Sequence, residues 1–379
     1  MSEAHPDSAD LIKRVDDAVR RCLDQGGISV GIASSSGKPH NFFVGDADIT
    51  NKKPVTKDHV FGIGSITKVF VAVVVLQLCE EGKLKLSDTV EHYLSPEIYR
   101  DIDNAKGATV EYLLSHRAGI DSWEDEPNWI RNGRGKDLKP EHIWSKTETL
   151  DYIRRPKVFA PELGEWYYAN TNYTLLGLII ERITGTTAEE EVRRRILNAL
   201  SMEETYFEGF EEPRLTTPHR YHIANAAFRE NAGVCPSFPE IQSDLIDATG
   251  ANLSLSWAAG GMMSSATDLL KFAIALRDGK LLSPASMAIL KQWRPAMKNA
   301  EMGHGLFRIK PDGGGTWHGH NGGVLGFSAG LWWDEDSDCA FAMLHNVGTM
   351  HAGGAHGAVQ KLLRDPEFLT LVSQLAKSG

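Results

Sequence analysis

The order of apolar and polar positions predicts strands near both ends of the chain and mainly helices between them. Residues 9–25 carry apolar side chains at helical spacing and stop at two glycines, which predicts an amphipathic first helix. Residues 28–33 and 41–44 flank the turn sequence SSSGKPH and predict a β-hairpin. After Gly303, four further strands are predicted in the segments HGLFRI, GTWHGH, FSAGLWW and CAFAMLHN.

The longest apolar run lies in residues 61–82, with the sequence FGIGSITKVFVAVVVLQLCEEG. Its β-branched residues favour a strand, but the stretch from Ser65 to Glu81 has no break and is too long for an ordinary strand. Gly82 is typical of a helix C-terminus. We therefore predict a buried helix, on which Ser65 and Lys68 share a face because they are three residues apart.

The segments between the predicted strands contain a predicted loop, a weakly patterned region and several further predicted helices. Residues 121–148 are rich in polar and aromatic residues and suit a long surface loop or lid. Residues 201–253 show only weak regular signals and contain four prolines. Further helices are predicted at about 109–115, 175–184, 188–200, 266–277, from 283 onwards, and 358–376.

These elements predict an α+β fold, in which an antiparallel sheet built from both termini is flanked by helices and a mainly helical region is inserted. Residues 1–83 and 255–379 form the predicted α/β sheet domain. Residues 84–254 form the predicted mainly helical domain. The active site is expected at the junction of the two, where ligand sites tend to lie.

The composition fits a globular protein and disfavours several partners. The chain has 379 residues and a formal net charge of −10, which disfavours DNA or RNA as a partner. The apolar run after Lys68 is too short to span a bilayer, so no membrane partner is expected. The N-terminal sequence shows no secretory signal and the four cysteines are scattered, which predicts a cytoplasmic protein with free thiols. The oligomeric state is left open.

Several serine motifs compete for the role of nucleophile. Ser29 and Ser328 stand in G-x-S-x-G, but each lies within a strand pattern, whereas a nucleophile elbow needs a strand before the serine and a helix after it. Ser35 begins an S-x-x-K sequence that lies in the hairpin turn. Ser65 begins another at the start of the buried helix, where Lys68 is costly to bury unless it has a function or partners. The alternative interpretation is a helix-capping serine beside a lysine that reaches solvent.

A second candidate group is Tyr168-Ala-Asn170, just before a predicted helix. A tyrosine hydroxyl beside a lysine ammonium loses its proton more easily and can serve as a base. The amide of Asn170 is suited to hold Lys68 and the acyl group of a substrate. Taken alone, an aromatic-rich turn is more often a packing feature.

A third candidate group is the segment WHGHNGG, which leads from a strand into a turn. His318 and His320 are spaced as metal ligands on one strand face, but no further ligand stands at a recognisable spacing, so neither a metal nor a cofactor is predicted. Gly322 and Gly323 allow the backbone to come close to a ligand.

Taken together, the motifs beginning at Ser65 (SITK), Tyr168 (YAN) and His320 (HNG) resemble those of the class C β-lactamase superfamily. Its relatives include penicillin-binding DD-peptidases, D-aminopeptidases, D-amino-acid amidases and family VIII carboxylesterases. The order and separation of the motifs fit this superfamily. The stretches LLSHRAGI, AAGGMMSSATDLLKF and GHNGGVLGF extend the resemblance over about residues 28–346.

The resemblance implies a β-lactamase/transpeptidase-like fold and catalysis through an acyl-enzyme. Ser65 would be the nucleophile, with Lys68 and Tyr168 acting together as the base. The backbone N–H groups of Ser65 and Gly323 would form the oxyanion hole. Lys68 lies in the first turn of its helix, where the helix dipole and burial both lower the pKa of an ammonium. The implied substrate-binding set also includes Asn170, His320, Asn321 and Gly322.

The third motif departs from the Lys-Thr-Gly that is usual in β-lactamases, because His320-Asn321-Gly322 stands there. The threonine normally donates its hydroxyl to the carboxylate of a substrate. Because Asn321 has no hydroxyl, β-lactams, which carry such a carboxylate, are a less favoured substrate class. We therefore predict a cytoplasmic serine hydrolase that cleaves a small ester or amide, of the carboxylesterase or D-amino-acid amidase or peptidase type. The alternatives are an acyltransferase with the same acyl-enzyme, a DD-carboxypeptidase or weak β-lactamase, and a binding protein without catalysis.

Overall fold

The computed structural model describes residues 8–311 and 314–378. The strands are β1 (Gly27–Ala33), β2 (His40–Asp48), β3 (Lys53–Pro54), β4 (Phe61–Gly62), β5 (Tyr206–Phe207), β6 (Tyr221–Ile223), β7 (Glu240–Gln242), β8 (Leu245–Asp247), β9 (Met262–Ser264), β10 (Arg294–Met297), β11 (Ala300–Met302), β12 (Phe307–Ile309), β13 (Trp317–Val324), β14 (Phe327–Asp334), β15 (Cys339–His345) and β16 (Val347–Gly348).

Helices occur throughout the chain. The α-helices are α1 (Ser8–Cys22), α2 (Thr67–Glu80), α3 (Val90–Tyr93), α4 (Pro96–Tyr99), α5 (Val110–Leu114), α6 (Pro127–Gly133), α7 (Asn170–Thr184), α8 (Ala188–Val192), α9 (Ala226–Asn231), α10 (Trp257–Gly260), α11 (Ala266–Arg277), α12 (Pro284–Leu290), α13 (Ala358–Arg364) and α14 (Pro366–Lys377). Tighter 3₁₀ turns span Gly64–Ile66, Trp123–Asp125 and Glu148–Ile153, and a π-helical turn spans Arg193–Leu197. None of the helices in the described ranges is long and apolar enough to cross a bilayer.

The main sheet combines strands from both ends of the chain. Within the described residues it has nine strands in the order β10-β11-β12-β13-β14-β15-β1-β2-β3, and each neighbouring pair is antiparallel. The predicted hairpin is the pair β1–β2, and the predicted late strands form β12 to β15. The predicted α+β class, with a sheet built from both termini, is therefore confirmed.

Strand β15 lies in the interior of this sheet, between β14 and β1, and is buried along its whole length. Phe341 and Met343 pack with the terminal helices α1, α13 and α14, whereas Ala342 and Leu344 belong to the larger core on the other face. Successive side chains of a strand point to opposite faces. The uninterrupted apolar pattern of β15 thus reflects a sheet that is covered by helices on both sides.

Helix α2 lies in the larger core, and the predicted buried helix is confirmed. Its residues from Thr67 to Leu76 are all buried. Phe70 stacks on Phe272 of α11 with ring centroids 3.7 Å apart. Such a helix is apolar on every side because every side is packed. The β-branched residues that favoured a strand are outweighed by this tertiary packing.

Two predictions about the other segments are wrong, and some short elements were not predicted. Residues 121–148 are not a surface loop, because Trp123, Trp129 and Trp144 are buried and α6 forms within this segment. The predicted helix at 358–376 is two helices, since Pro366 starts α14 and cannot continue the hydrogen bonding of α13. The edge hairpin β10–β11 was not predicted, and residues 201–253 contain short strands and α9.

Candidate active site

Ser65 is presented by the 3₁₀ turn Gly64–Ile66 that leads into α2. Gly64 has φ +51°, a conformation that side chains disfavour. A Cβ atom on Gly64 would lie 2.5 Å from the backbone nitrogen of Gly323. Because residue 64 is glycine, the turn that contains Ser65 can pack directly against the backbone of β13. Ser65 itself is partly exposed to the pocket described below.

Lys68 lies one turn further along α2 and is fully buried. Its Nζ donates to Oγ of Ser65 at 2.9 Å, to Oδ1 of Asn170 at 2.6 Å and to the carbonyl oxygen of Ala259 at 2.5 Å. Burial lowers the pKa of Lys68 to about 7, and the negative charge of Glu124 opposes this shift. The predicted lowering of the lysine pKa is thus confirmed, with burial as its main cause.

Tyr168 and Asn170 stand where the chain enters α7. The Tyr168 ring lies 5.0 Å from Nζ of Lys68, and its hydroxyl makes hydrogen bonds with the Ser65 side chain and, at 3.4 Å, with Nε2 of His320. Burial raises the pKa of Tyr168 above its usual range. The expectation that Lys68 eases proton loss from Tyr168 is therefore wrong for the free protein, because burial of the hydroxyl is the largest cause of its shift and raises the pKa.

The third motif lies on β13, with alternate side chains on opposite sides of the strand. His320 is buried beside Tyr168 and donates from Nδ1 to the carbonyl oxygen of Asn321 at 2.5 Å. Burial lowers the pKa of His320 to about 3, so its ring is neutral and Nε2 is an acceptor. The exposed Asn321 lines the pocket described below and accepts from Nε1 of Trp332 at 2.9 Å, so its NH₂ group remains available as a donor.

Gly322 and Gly323 both lie close to other parts of the chain, and at Gly322 the contact leaves no room for a side chain. A Cβ atom on Gly322 would lie 1.8 Å from the carbonyl oxygen of Ile63, so β13 and the segment before Ser65 touch backbone to backbone. A Cβ atom on Gly323 would lie 2.9 Å from Sδ of Met350. The sequence-predicted site residues from all three motifs are therefore brought together around Ser65.

A pocket of about 640 Å³ opens in front of Ser65. Its polar side includes Glu124 and Asp125. Its other side is mainly apolar and is formed by the edge hairpin, β12, β14 and α13, which also contributes Gln360 and Arg364. The apolar lining residues are Trp166, Met297, Ala300, Phe307, Ile309, Trp332, Met350 and Leu363. No group of three or more His, Cys, Asp or Glu side chains that could hold a metal ion occurs in the described part of the chain.

Two residues outside the three motifs contact the candidate catalytic groups and were not predicted from the sequence. His116 accepts the backbone N–H of Ala169 at 3.1 Å and stacks on Tyr168 with ring centroids 4.2 Å apart. Glu124 accepts from Nδ2 of Asn170 at 2.5 Å. His116 lies in the stretch LLSHRAGI, which resembles the family and could have pointed to it. Glu124 lies in residues 121–148, for which a surface loop or lid is predicted, so no sequence signal singles it out.

The rejected serines lie away from this cluster. Ser29 lies on β1 and Ser328 lies on β14. The Oγ of Ser328 donates to the carbonyl oxygen of Val347 at 2.7 Å. Ser35 is in the turn between β1 and β2 and bonds Asp338. None of these three serines lines the pocket in front of Ser65.

Comparison with solved structures identifies the fold. A D-amino acid amidase from Ochrobactrum anthropi SV3, solved with D-phenylalanine, is 26% identical, superposes with a TM-score of 0.79 and covers 98% of this chain and 99% of its own. A penicillin-binding protein from Bacillus halodurans superposes with a TM-score of 0.71 at 20% identity over 93% of this chain and 97% of its own. The predicted β-lactamase/transpeptidase-like fold is confirmed.

Comparison of sequences identifies the family. The family model described as Beta-lactamase matches residues 15–364, so the chain belongs to the beta-lactamase family. The putative penicillin-binding protein PbpX of Bacillus subtilis is 30% identical over 60% of this chain and 48% of its own length. Esterase EstB of Burkholderia gladioli is 26% identical over 83% of this chain and 76% of its own length. The chain spans about half the length of the first curated relatives that it matches.

Proposed function

We propose that this protein is a serine hydrolase that cleaves a small ester or amide through an acyl-enzyme on Ser65. The observation that carries the proposal is the 2.9 Å contact between Nζ of Lys68 and Oγ of Ser65, made by a buried lysine whose pKa is about 7. A group with this pKa near neutral pH is suited to take a proton in catalysis. The esterase and amidase relatives support the same reaction class.

In the proposed mechanism, neutral Lys68 takes the hydroxyl proton of Ser65 as Oγ attacks the substrate carbonyl. Tyr168, protonated in the free protein, passes a proton to the leaving group and is kept in place by Ser65 and His320. The backbone N–H groups of Ser65 and Gly323 are proposed to bind the oxyanion. Asn170 holds Lys68, and the free amide donor of Asn321 faces the substrate. Water then attacks the acyl-enzyme and gives one proton to Tyr168, while Lys68 returns its proton to Oγ of Ser65, which restores the free protein.

A panel of substrates tests the proposed reaction. p-Nitrophenyl esters and D- and L-amino-acid amides should be hydrolysed, whereas nitrocefin should react weakly or not at all, because Asn321 stands in place of the usual threonine. The ratio of hydrolysis to transfer onto an added alcohol or amine separates this proposal from an acyltransferase. Absence of turnover with every member of the panel would contradict the proposal.

The pH profile of an uncharged ester should rise through about pH 7. Below this pH the ammonium form of Lys68 prevails and cannot take the Ser65 proton, whereas above it the neutral amine prevails. The value of kcat/KM for p-nitrophenyl acetate, corrected for spontaneous hydrolysis, should therefore increase about tenfold per pH unit on the acid side and level off above about pH 7. A profile that is flat from pH 5 to 9 would exclude Lys68 as the base.

We propose that the substrate carries an apolar group that binds against the apolar side of the pocket. Phe307 extends the stack of Tyr168 at a centroid distance of 6.4 Å, and Ala300 lies opposite Ile309 across β11 and β12. Ala300, Met297 and Trp332 all line the pocket, and the small side chain of Ala300 leaves room there for a substrate group. Burial of an alkyl or aromatic group there is worth about 0.8 kcal/mol per CH₂.

Replacing Ala300 by phenylalanine should therefore narrow the substrate range. We expect kcat/KM for p-nitrophenyl octanoate to fall at least about tenfold, because the new ring fills the space beside Ile309. p-Nitrophenyl acetate is the internal control and should be hydrolysed within about twofold of the wild-type rate. An equal loss for both esters would show that the apolar side does not select the substrate.

Two further proposals concern how the chain divides into domains and the cellular compartment of the protein. We propose a sheet domain of residues 1–83 and 255–379 and a mainly helical domain of residues 84–254, since all nine described strands of the main sheet fall in the first set. We propose a cytoplasmic location because the four cysteines are all free, as expected in a reducing compartment.

A further inference from the structure

A continuous chain of side-chain contacts links Lys68 to a buried ion pair. Nζ of Lys68 donates to Oδ1 of Asn170 at 2.6 Å, and Nδ2 of Asn170 donates to Oε2 of Glu124 at 2.5 Å. The other oxygen of Glu124 pairs with Nη2 of Arg134. The side chain of Arg134 is 2% exposed and that of Glu124 is 14% exposed. Solvent screening of these charges is therefore weak.

The carboxylate fixes the orientation of the Asn170 amide. An amide has a donor end and an acceptor end, and a carboxylate only accepts hydrogen bonds. With Glu124 on one side, the NH₂ group must face Glu124 and the oxygen must face Lys68. Without the carboxylate, the NH₂ group of Asn170 loses its charged acceptor, and the amide is held only by Lys68.

The charge that Lys68 faces comes mainly from Glu124. Its direct partners Ser65, Asn170 and Ala259 are neutral acceptors. The other titratable groups around it are the rings of Tyr168 and Tyr173, at 5.0 and 5.5 Å, and the buried histidines His116 and His320. Burial raises the pKa of both tyrosines and lowers the pKa of both histidines, so all four are neutral near pH 7.

The surroundings of Glu124 contain one strong cation. Arg134 pairs with it directly and also lies over the Trp129 ring at 5.4 Å. The neighbouring groups are Asp125, whose pKa is raised by burial, and His351, whose pKa burial lowers to about 4. One oxygen of the Glu124 carboxylate thus forms an ion pair with Arg134. The other oxygen accepts the hydrogen bond of Asn170, which in turn holds Lys68.

We propose that Glu124 is a positioning residue for Lys68: through Asn170 it fixes the amide that holds the lysine, and its carboxylate, balanced by Arg134, sets the charge that the lysine faces. The inference rests on the proposed function only in treating Lys68 as the base. It assigns a role to a residue outside the three motifs. Loss of the carboxylate makes the ammonium form of Lys68 less stable, and loss of the guanidinium makes it more stable.

Direct titration of Lys68 by NMR tests this inference without depending on turnover. The protein is labelled with ¹³C at Cε of lysine, and the Lys68 resonance is assigned by its absence in Lys68→Arg. Glu124→Gln should lower the pKa of Lys68 by on the order of one unit, and Arg134→Gln should raise it. Glu126→Gln is the matched control, because Glu126 bonds Arg155 at 2.7 Å and makes no contact with Asn170, so the Lys68 pKa should not change.

Melting temperatures and far-UV circular dichroism establish that each variant is folded. If Glu124→Gln does not fold, Glu124→Asp decides the question, because the shorter side chain withdraws the carboxylate from Asn170 and should lower the Lys68 pKa by a smaller amount. A folded Glu124 variant with the wild-type Lys68 pKa, or with a raised one, would overturn the inference.

Ester turnover on the same samples separates this inference from the proposed function. If the wild-type protein hydrolyses p-nitrophenyl acetate but Glu124→Gln leaves the Lys68 pKa unchanged, the inference fails and the proposed function stands. If the Lys68 pKa moves as expected but no substrate is turned over, the proposed function fails and the role of Glu124 stands. This ester has no amino group, so any direct contact of Glu124 with a charged substrate does not enter the result.

Discussion

Replacing Ser65 by alanine is expected to reduce the turnover of p-nitrophenyl acetate at least about 10⁴-fold. Removing the nucleophile of a serine hydrolase removes the covalent route and leaves only the contribution of binding and the oxyanion donors. Because Ser65 is partly exposed in a short turn, the loss of one hydroxyl should leave the fold intact. The measurement is kcat at saturating ester, with the melting temperature recorded in parallel.

Ser328→Ala is the control for this variant. Ser328 is also a serine flanked by glycines, but its buried Oγ donates to the carbonyl oxygen of Val347 at 2.7 Å. Loss of that hydrogen bond should lower the free energy of unfolding by about 1 kcal/mol and leave kcat unchanged. If Ser65→Ala keeps its activity while Ser328→Ala loses it, the assignment of the nucleophile is wrong.

Replacing Lys68 by methionine is expected to lower kcat roughly 10³-fold, because the base that takes the Ser65 proton is removed. Methionine has nearly the same length and suits the buried position. The melting temperature should hold or rise, since burial already disfavours the ammonium and lowers its pKa to about 7. This separation of activity from stability distinguishes a functional lysine from a structural one.

Lys68→Arg completes the comparison. A guanidinium stays protonated at all accessible pH values and cannot act as a base. This variant should therefore be as inactive as Lys68→Met and should not regain activity at high pH. A Lys68→Met variant with the wild-type kcat, or a Lys68→Arg variant whose rate rises with pH as in the wild-type protein, would contradict the role of Lys68.

The helix that carries Lys68 and follows the turn of Ser65 could be predicted because length and capping signals outweigh local propensity. The β-branched run after Lys68 favours a strand, but no strand of ordinary length accommodates residues 65–81 without a break. The strands of the main sheet were also predictable where turn residues separate apolar segments, as they do around β13 to β15. The edge hairpin β10–β11 was missed because its strands are short and only partly buried.

The position of Glu124 could not be predicted because the segment around it has no periodic pattern. Trp123, Trp129 and Trp144 are buried by contacts that are distant in the sequence, such as the hydrogen bond from Nε1 of Trp123 to Thr174 at 3.1 Å. Without those contacts, acidic and aromatic residues in an irregular segment favour a surface loop. The ion pair between Glu124 and Arg134 joins two residues of this segment, which packs against α7.

The protonation states at the site also depend on the fold. Proximity to Lys68 was expected to lower the pKa of Tyr168, but the same burial that lowers the lysine pKa raises that of the tyrosine. The sequence identifies which groups meet, whereas their burial decides which of them carries a proton. The proposed division of work, with Lys68 as the acceptor and Tyr168 as the donor, follows from that difference.

The most direct test of the central claim is the mass of the covalent intermediate on Ser65. The protein is mixed with p-nitrophenyl acetate, quenched in acid within the first turnovers and digested, and the peptides are mapped by tandem mass spectrometry. The account predicts an added acetyl group on Ser65 in the wild-type protein and none on the corresponding peptide of Ser65→Ala. An acetyl group on another residue at the same level, or ester turnover in the absence of any adduct on Ser65, would contradict it.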